Sequence, residues 1–214
     1  MRSLMTAAAA IALATGCATA EQTLEGVPSG EYELENTHAM LIWKVDHLGL
    51  STYISRFTEF DAMLDFDPEN PTASSLSVTV NPASVETDYP GDFKEGHPNS
   101  EYDTWNDELA FGDSWLNADE HPEITFVSTG IETTGDYTGK VTGDLTFLGV
   151  TKPVTLDVTY NGTQNMRGRK IGFSAIGVID RTEFGLGTYA PMIGTEVELE
   201  IEAEFVPASA DDSE

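Results

Sequence analysis

Apolar and polar residues alternate along most of this chain with a period of two, the repeat of a strand that has one dry face and one wet one. The clearest stretch runs from Val141 to Gly162. Val141, Leu145 and Phe147 share one face, and after a turn placed at Gly149 to Pro153, Val154, Leu156, Val158 and Tyr160 share another. Thr and Asp stand between them, so the segment predicts an antiparallel hairpin in a sheet with one solvated side. Upstream, Tyr32 and Leu34 and then Leu41, Trp43 and Val45 predict two strands, or one long strand bent near Asn36. Phe60, Ala62, Leu64 and Phe66 form the next apolar set, closed by the turn residues Asp67 to Pro71, and Leu76, Val78 and Val80 follow. Later strands are marked by Ile124 and Phe126, by Ile171, Phe173, Ala175, Gly177 and Ile179, and by Val197 to Phe205.

The rhythm breaks between Thr87 and Glu120. Ser100 followed by Asp103 predicts a helix start, and Tyr102, Trp105 and Leu109 recur at helical spacing, with a further turn over Asp113 to Asn117. This short helical insertion is expected to plug or flank one end of the sheet. About eight strands in all predict an all-β fold, a lipocalin-like antiparallel β-barrel, with a sandwich as the alternative. A closed barrel of about eight strands has no unpaired edges and an interior just able to hold one small ligand.

Length and composition add limits to that picture. A chain of 214 residues suits one such domain. The predicted division is an export signal over residues 1–20, a polar tether over 21–30, the barrel over 31–206 and an acidic tail over 207–214. A globule of this size needs neither disulfide nor structural metal to be stable. With 37 acidic against 10 basic residues the net charge is −27, which argues against nucleic acid as a partner and against anionic lipid held through a basic patch. The acidic excess reads as a solvated, self-repelling surface. Glu196, Glu198, Glu200, Glu202 and Glu204 alternate with Val197, Leu199, Ile201, Ala203 and Phe205 and predict the wet face of the last strand, not a chelating motif.

The first twenty residues carry Arg2, an apolar run from Leu4 to Leu13 and then small residues, the layout of a secretory signal too short to span a bilayer. Two cleavage readings compete. Ala18-Thr19-Ala20 fits an A-x-A site, whereas Ala14-Thr15-Gly16-Cys17 resembles a bacterial lipobox with Cys17 as the lipidated residue. The lipobox is favoured because the chain's one cysteine sits at that junction. The expected location is therefore the bacterial periplasm, with membrane contact through an N-terminal lipid anchor.

Signatures of chemistry are missing from the sequence. His38, His47, His97 and His121 form no HExxH, i,i+4 or His-x-His pattern, and there is no GxSxG elbow or GxxxxGKS loop. Gly185 and Gly187 lack the downstream helix that a dinucleotide fingerprint requires. No catalytic residue, metal site or cofactor is expected. Instead, Ala175 and Gly177 among bulky inward residues predict room inside the sheet, against the alternative that such glycines mark bends around a solid core.

Several motifs together carry a family resemblance over Tyr32 to Phe205. They are Asn36-Thr37-His38, Arg56-Phe57-x-x-Phe60, WLNADEHPEITF from Trp115, TGDLTFLGVTKPVTL, and DRTEFG from Asp180. In these the chain resembles the YceI-like family of polyisoprenoid-binding, lipocalin-like barrel proteins. The resemblance implies an exported, non-catalytic carrier or scavenger of a long isoprenoid lipid, a polyprenyl compound or an isoprenoid quinone. By position it implies a pocket lined by Trp43, Phe57, Phe60, Leu64, Phe126, Leu145, Phe147, Phe173 and Ile179. Arg181 is expected to pair with a carboxylate at the barrel end or to meet a lipid head group. Alternatives are an envelope stress or interaction protein docking through Thr87 to Glu120, and an enzyme acting on a small amide or a quinone through His38, Arg181 or the acidic loop. No pattern fixes the oligomeric state, and a homodimer is admitted.

Overall fold

A computed structural model describes residues 20–166 and 168–208. The leader with Cys17, and the tail beyond Ala208, lie outside the described residues. The chain runs through β1 (Gly30–Leu34), β2 (Met40–His47), β3 (Ser51–Phe57), β4 (Phe60–Phe66), β5 (Ser75–Val80), β6 (Val85–Glu86), α1 (Phe93–Gly96), α2 (Trp105–Phe111), β7 (Ile124–Thr133), β8 (Thr138–Phe147), β9 (Val150–Gln164), β10 (Lys170–Asp180) and β11 (Ile193–Pro207).

One antiparallel ladder closes on itself. Its order is β1, β4, β5, β7, β8, β9, β10, β11, and β11 returns to β1 through Tyr32 opposite Pro207 and Leu34 opposite Phe205. β2 prolongs β1 across a 3-10 turn at Asn36–His38 and pairs with the same edge of β11, Trp43 facing Leu199. β3 and β6 prolong β4 and β5 in the same way, β3 pairing with β2 and β6 with β3. The barrel thus has eight strands, three of them interrupted, and the bend expected near Asn36 is the first interruption.

Two features escaped the alternation. β3 places Tyr53, Ser55 and Phe57 inward, so a serine interrupts its dry face, while Ile54 stands exposed on the other. The hairpin turn between β8 and β9 is only Leu148–Gly149, both at positive φ (49° and 72°), and not Gly149 to Pro153. Two left-handed residues make the tight turn that matches strand twist, with glycine paying no Cβ penalty. Pro153 sits inside β9 opposite Asp144, exposed and on the stretch of β9 that β10 does not pair, where a strand tolerates proline.

The insertion is helical where Trp105 and Leu109 predict it, with a further turn over 113–116, but the helix starts later than the sequence predicts. The start at Ser100 is displaced to Thr104, whose side chain accepts a hydrogen bond from Asp107 N at 3.0 Å, and Ser100 instead donates to Glu108 Oε2 at 2.6 Å. The additional turn α1, capped by Asp92, had no apolar period to announce it. Leu109, Ala110 and Leu116 pack into the core with Val85, Phe126 and Phe147, so the insertion serves as wall where β6 leaves β7 without a partner.

The predicted tether is also not free. Glu21 pairs with Thr163, Gln22 Nε2 donates to the carbonyl of Tyr160 at 3.1 Å, Tyr160 Oη donates to that of Thr23 at 3.0 Å, and Val27 is buried. Two apolar residues are too few to show a period, but they suffice to seat the segment on the aromatic cluster of Tyr32, Phe66 and Tyr160.

The wet face is as the alternation predicts. Lys44 on β2 holds Glu198 at 2.8 Å and Glu200 at 2.5 Å, and Lys170 holds Glu204 at 2.9 Å and Glu35 at 3.2 Å. Glu35 also accepts from Thr37 Oγ1 and contacts His38, and these hydrogen bonds, Thr37's first, then His38's and that of Lys170, hold its carboxyl down at about 2 against an ordinary 4.5. A depressed carboxylate stabilises the fold above its unfolded pKa, and that contribution is lost as pH falls through the folded value. The difference in Tm between wild type and Glu35→Gln should therefore be complete above about pH 5. It should shrink between 4.5 and about 2 and vanish below that, which a thermal-melt series over pH would read.

Candidate ligand-binding tunnel

The inward set of each strand leaves the centre of the barrel hollow. An upper cavity of about 680 Å³ lies toward the β2–β3 hairpin, and a lower one of about 190 Å³ toward the docked N-terminal segment. Leu41, Val78, Leu156 and Ile201 line both, so the two adjoin across a waist made of four aliphatic side chains.

The structure divides the ten residues named from the sequence between these chambers. Trp43, Phe57, Phe126, Leu145, Phe147, Ile179 and Arg181 line the upper one, and Phe60, Leu64 and Phe173 the lower. The two small residues expected to leave room differ in effect. Ala175 faces the lower chamber, whereas the space beside Gly177 is filled by Leu156, whose Cδ2 would lie 2.4 Å from an added Cβ. Gly143 does the same for the ring of Phe126, 2.4 Å from where a Cβ would stand. These glycines are notches that let large neighbours lie flat against the wall.

The upper chamber's cover has two parts, the insertion that the sequence expects at one end of the sheet and a loop that it does not announce. Trp105, Leu109, Trp115 and Leu116 from the insertion and Leu186, Tyr189 and Met192 from the loop before β11 all face the cavity. Trp105 and Leu109 were legible as one face of a helix, but nothing in the spacing says what that face covers. The loop residues have no period at all.

Among the described residues Arg181 is the one buried cation, 4% exposed and facing the upper chamber. Among the described residues it forms no ion pair, so the expected carboxylate partner is corrected. Nε donates to Gly194 O at 2.7 Å, one terminal nitrogen to Leu186 O at 2.5 Å and the other to Ile193 O at 2.8 Å. Asp180 is occupied elsewhere, capping the 3-10 turn Arg181–Phe184 through Thr182 N at 2.9 Å and Thr182 Oγ1 at 2.6 Å. Gly185, at φ 94°, then folds the chain back so that Leu186 O reaches the guanidinium. Burial pulls the Arg181 pKa below its usual value, and Asp180 opposes that. A guanidinium stays charged even so, and it carries five N–H donors, of which three are satisfied here.

Other polar atoms in the upper chamber are few. Trp43 Nε1 is buried without a partner among the described residues, and Tyr53 Oη accepts from Trp105 Nε1 at 2.9 Å. His47 and His97 stand at the rim, both exposed. His38 lines neither cavity. It lies outside with Glu35 and Glu204, a trio with three ligand atoms in metal-binding reach, but Lys170 already places its ammonium against both carboxylates.

A family model described as the YceI-like domain matches residues 32–205. A UPF0312 protein of Pseudomonas putida is 35% identical over 182 residues, 83% of this chain and 85% of its own. Protein YceI of Escherichia coli is 34% identical over 174 residues, 80% and 83% of the two chains. Among solved structures, a YCEI protein of Campylobacter jejuni superposes with TM-score 0.60 at 32% identity, covering 75% of this chain and 88% of that one. BcnA of Burkholderia cenocepacia shares the fold with TM-score 0.67 at 23% identity, covering 80% and 98%. A polyisoprenoid binding domain from Saccharophagus degradans does so with TM-score 0.59 at 13%, covering 84% and 99%.

The waist can be tested through its tightest contact. Gly177→Ala should cost about 1–3 kcal/mol by forcing Leu156 off the wall, and Leu156→Ala about 2–5 kcal/mol. In the double variant the two penalties should add to clearly less than their sum, because the new methyl enters space the leucine has left. Urea unfolding of the four proteins would measure it, and strict additivity would show that the two residues do not compete for one space.

Proposed function

The chain belongs to the YceI-like family, and we propose that it is a non-catalytic carrier or scavenger that holds a long isoprenoid lipid inside the barrel. The observation that carries this reading is the pair of adjoining apolar chambers running past an aliphatic waist within a closed sheet. A branched hydrocarbon needs no directional bonds from such a wall. Each buried methylene contributes about 0.8 kcal/mol, so a chain threading both chambers gains affinity from length alone. The Saccharophagus degradans relative of the same fold is described as polyisoprenoid binding, which agrees with this chemistry.

The unspent donors of Arg181 give the upper chamber a preference for the polar end of the ligand. A buried cation without an ion-pair partner favours an acceptor, whether a phosphate oxygen or a carbonyl, and the lower chamber offers the tail mainly apolar walls. Polarity thus sets a direction, with the head above the waist and the tail below it. In this reading the protein is exported to the bacterial periplasm and works in the cell envelope. In the favoured lipobox reading the leader ends at Gly16 and Cys17, the first residue of the mature chain, is the site of a lipid anchor.

Native mass spectrometry of the protein from its own host should show a co-purifying prenyl lipid, and a protein recovered only without bound lipid would overturn the reading. Filling the lower chamber should act on the tail. Ala175→Phe is expected to shift the bound population toward shorter chains while the barrel stays folded, and an unchanged chain-length profile would show that the tail does not lie below the waist.

A further inference from the structure

Around the open end of the upper chamber, side chains face inward and outward at once. Leu48, Tyr89, Tyr189 and Met192 line the cavity, yet they are 51%, 42%, 56% and 54% exposed. Beside them Leu50, at the tip of the β2–β3 hairpin, is 84% exposed, the barest large apolar residue among the described ones. Two segments build most of this rim. They are the hairpin tip and the loop before β11, joined where Leu48 N donates to Met192 O at 2.8 Å.

Both segments are uncharged in a chain that is otherwise dense in carboxylates. No Asp, Glu, Lys or Arg occurs from Phe184 to Thr195, nor from His47 to Ser55, although 37 of 214 residues are acidic. Asp46, which adjoins the hairpin segment, is turned back onto Gly49 N at 2.8 Å. Self-repulsion and solubility would favour acids here as elsewhere, so the rim departs from the rest of the surface in both charge and apolar exposure. Its composition of leucine, methionine and tyrosine is that of side chains which settle at the boundary between head groups and acyl chains.

We propose that this rim docks onto the surface of a lipid bilayer, setting the mouth of the tunnel against the phase from which its ligand comes. The inference rests on the isoprenoid reading, since a ligand that lives in hydrocarbon must cross from membrane to barrel with little exposure to water. The same side chains that touch the bilayer continue into the tunnel wall, so the apolar path is unbroken. The acidic remainder of the surface keeps the protein from lying flat and selects against anionic head groups. Docking is therefore shallow, and only the rim enters.

The test uses the full chain carrying Cys17→Ser, so that no lipid anchor contributes, with vesicles of phosphatidylcholine. Wild-type Leu50 should give measurable partitioning in a flotation assay, Leu50→Glu should weaken it at least about tenfold, and Leu50→Trp should strengthen it. Adding anionic phosphatidylglycerol should weaken binding, and salt should restore it, the reverse of a basic peripheral protein. Equal partitioning of all three proteins would overturn the proposal. So would absence of vesicle binding together with a concentration-dependent dimer in sedimentation that Leu50→Glu abolishes, which would make the rim a contact between copies. Loading of a detergent-solubilised polyprenol onto Leu50→Glu separates the two readings. Its retention with lost partitioning supports docking, and its failure in the wild type as well would remove the carrier reading instead.

Discussion

The return of β11 to β1 is the contact on which the rest of the molecule depends. Tyr32 to Leu34 pair with Phe205 to Pro207 and turn an open ladder into a ring, so the strands find their hydrogen-bond partners around the wall and not across the centre. An open sheet must cover its dry face with another layer, whereas a ring covers that face with itself. That is why a chain of this length can leave its middle empty and still be stable.

Emptiness inside a ring has to be managed at three places. At the waist, Leu156 is kept against the wall by the missing Cβ of Gly177, which leaves the passage between chambers narrow without sealing it. At the lower end, the segment from Glu21 to Val27 lies over the aromatic cluster and Leu24 faces the small chamber. At the upper end, the wall is completed by the insertion and by the loop that Arg181 ties down through three carbonyls. The buried guanidinium acts as a structural tie and also faces the upper chamber. A charge held by backbone carbonyls alone has spare donors, and a charge already neutralised by a carboxylate would offer a ligand much less.

The charge distribution fits the same division of labour. Carboxylates line the outer face of β11, where Lys44 and Lys170 neutralise several of them, and they are missing from the segments 47–55 and 184–195 that build most of the rim of the upper mouth. Solubility is supplied by the barrel's sides, and the open end is left apolar.

Much of this was written in the residue order. Period-two alternation assigned the dry faces of β4, β8, β9, β10 and β11, and with them Phe60, Leu64, Leu145, Phe147, Phe173 and Ile179 as inward residues, because facing is a local property of a pleated strand. It also marked the outward glutamates of β11. It failed at β3, where Ser55 occupies an inward position, and at Ser100, whose hydroxyl went to Glu108 while Thr104 took the cap. What only the tertiary structure decided are the quantities that belong to no single segment. The waist is four side chains from four strands, the partners of Arg181 lie five to thirteen residues away across a reversed chain, and the rim unites a hairpin tip with a loop some 140 residues distant. A cavity is the space left over when all strands have placed their side chains, so its size and openings are fixed by closure and register, which alternation along one strand does not contain.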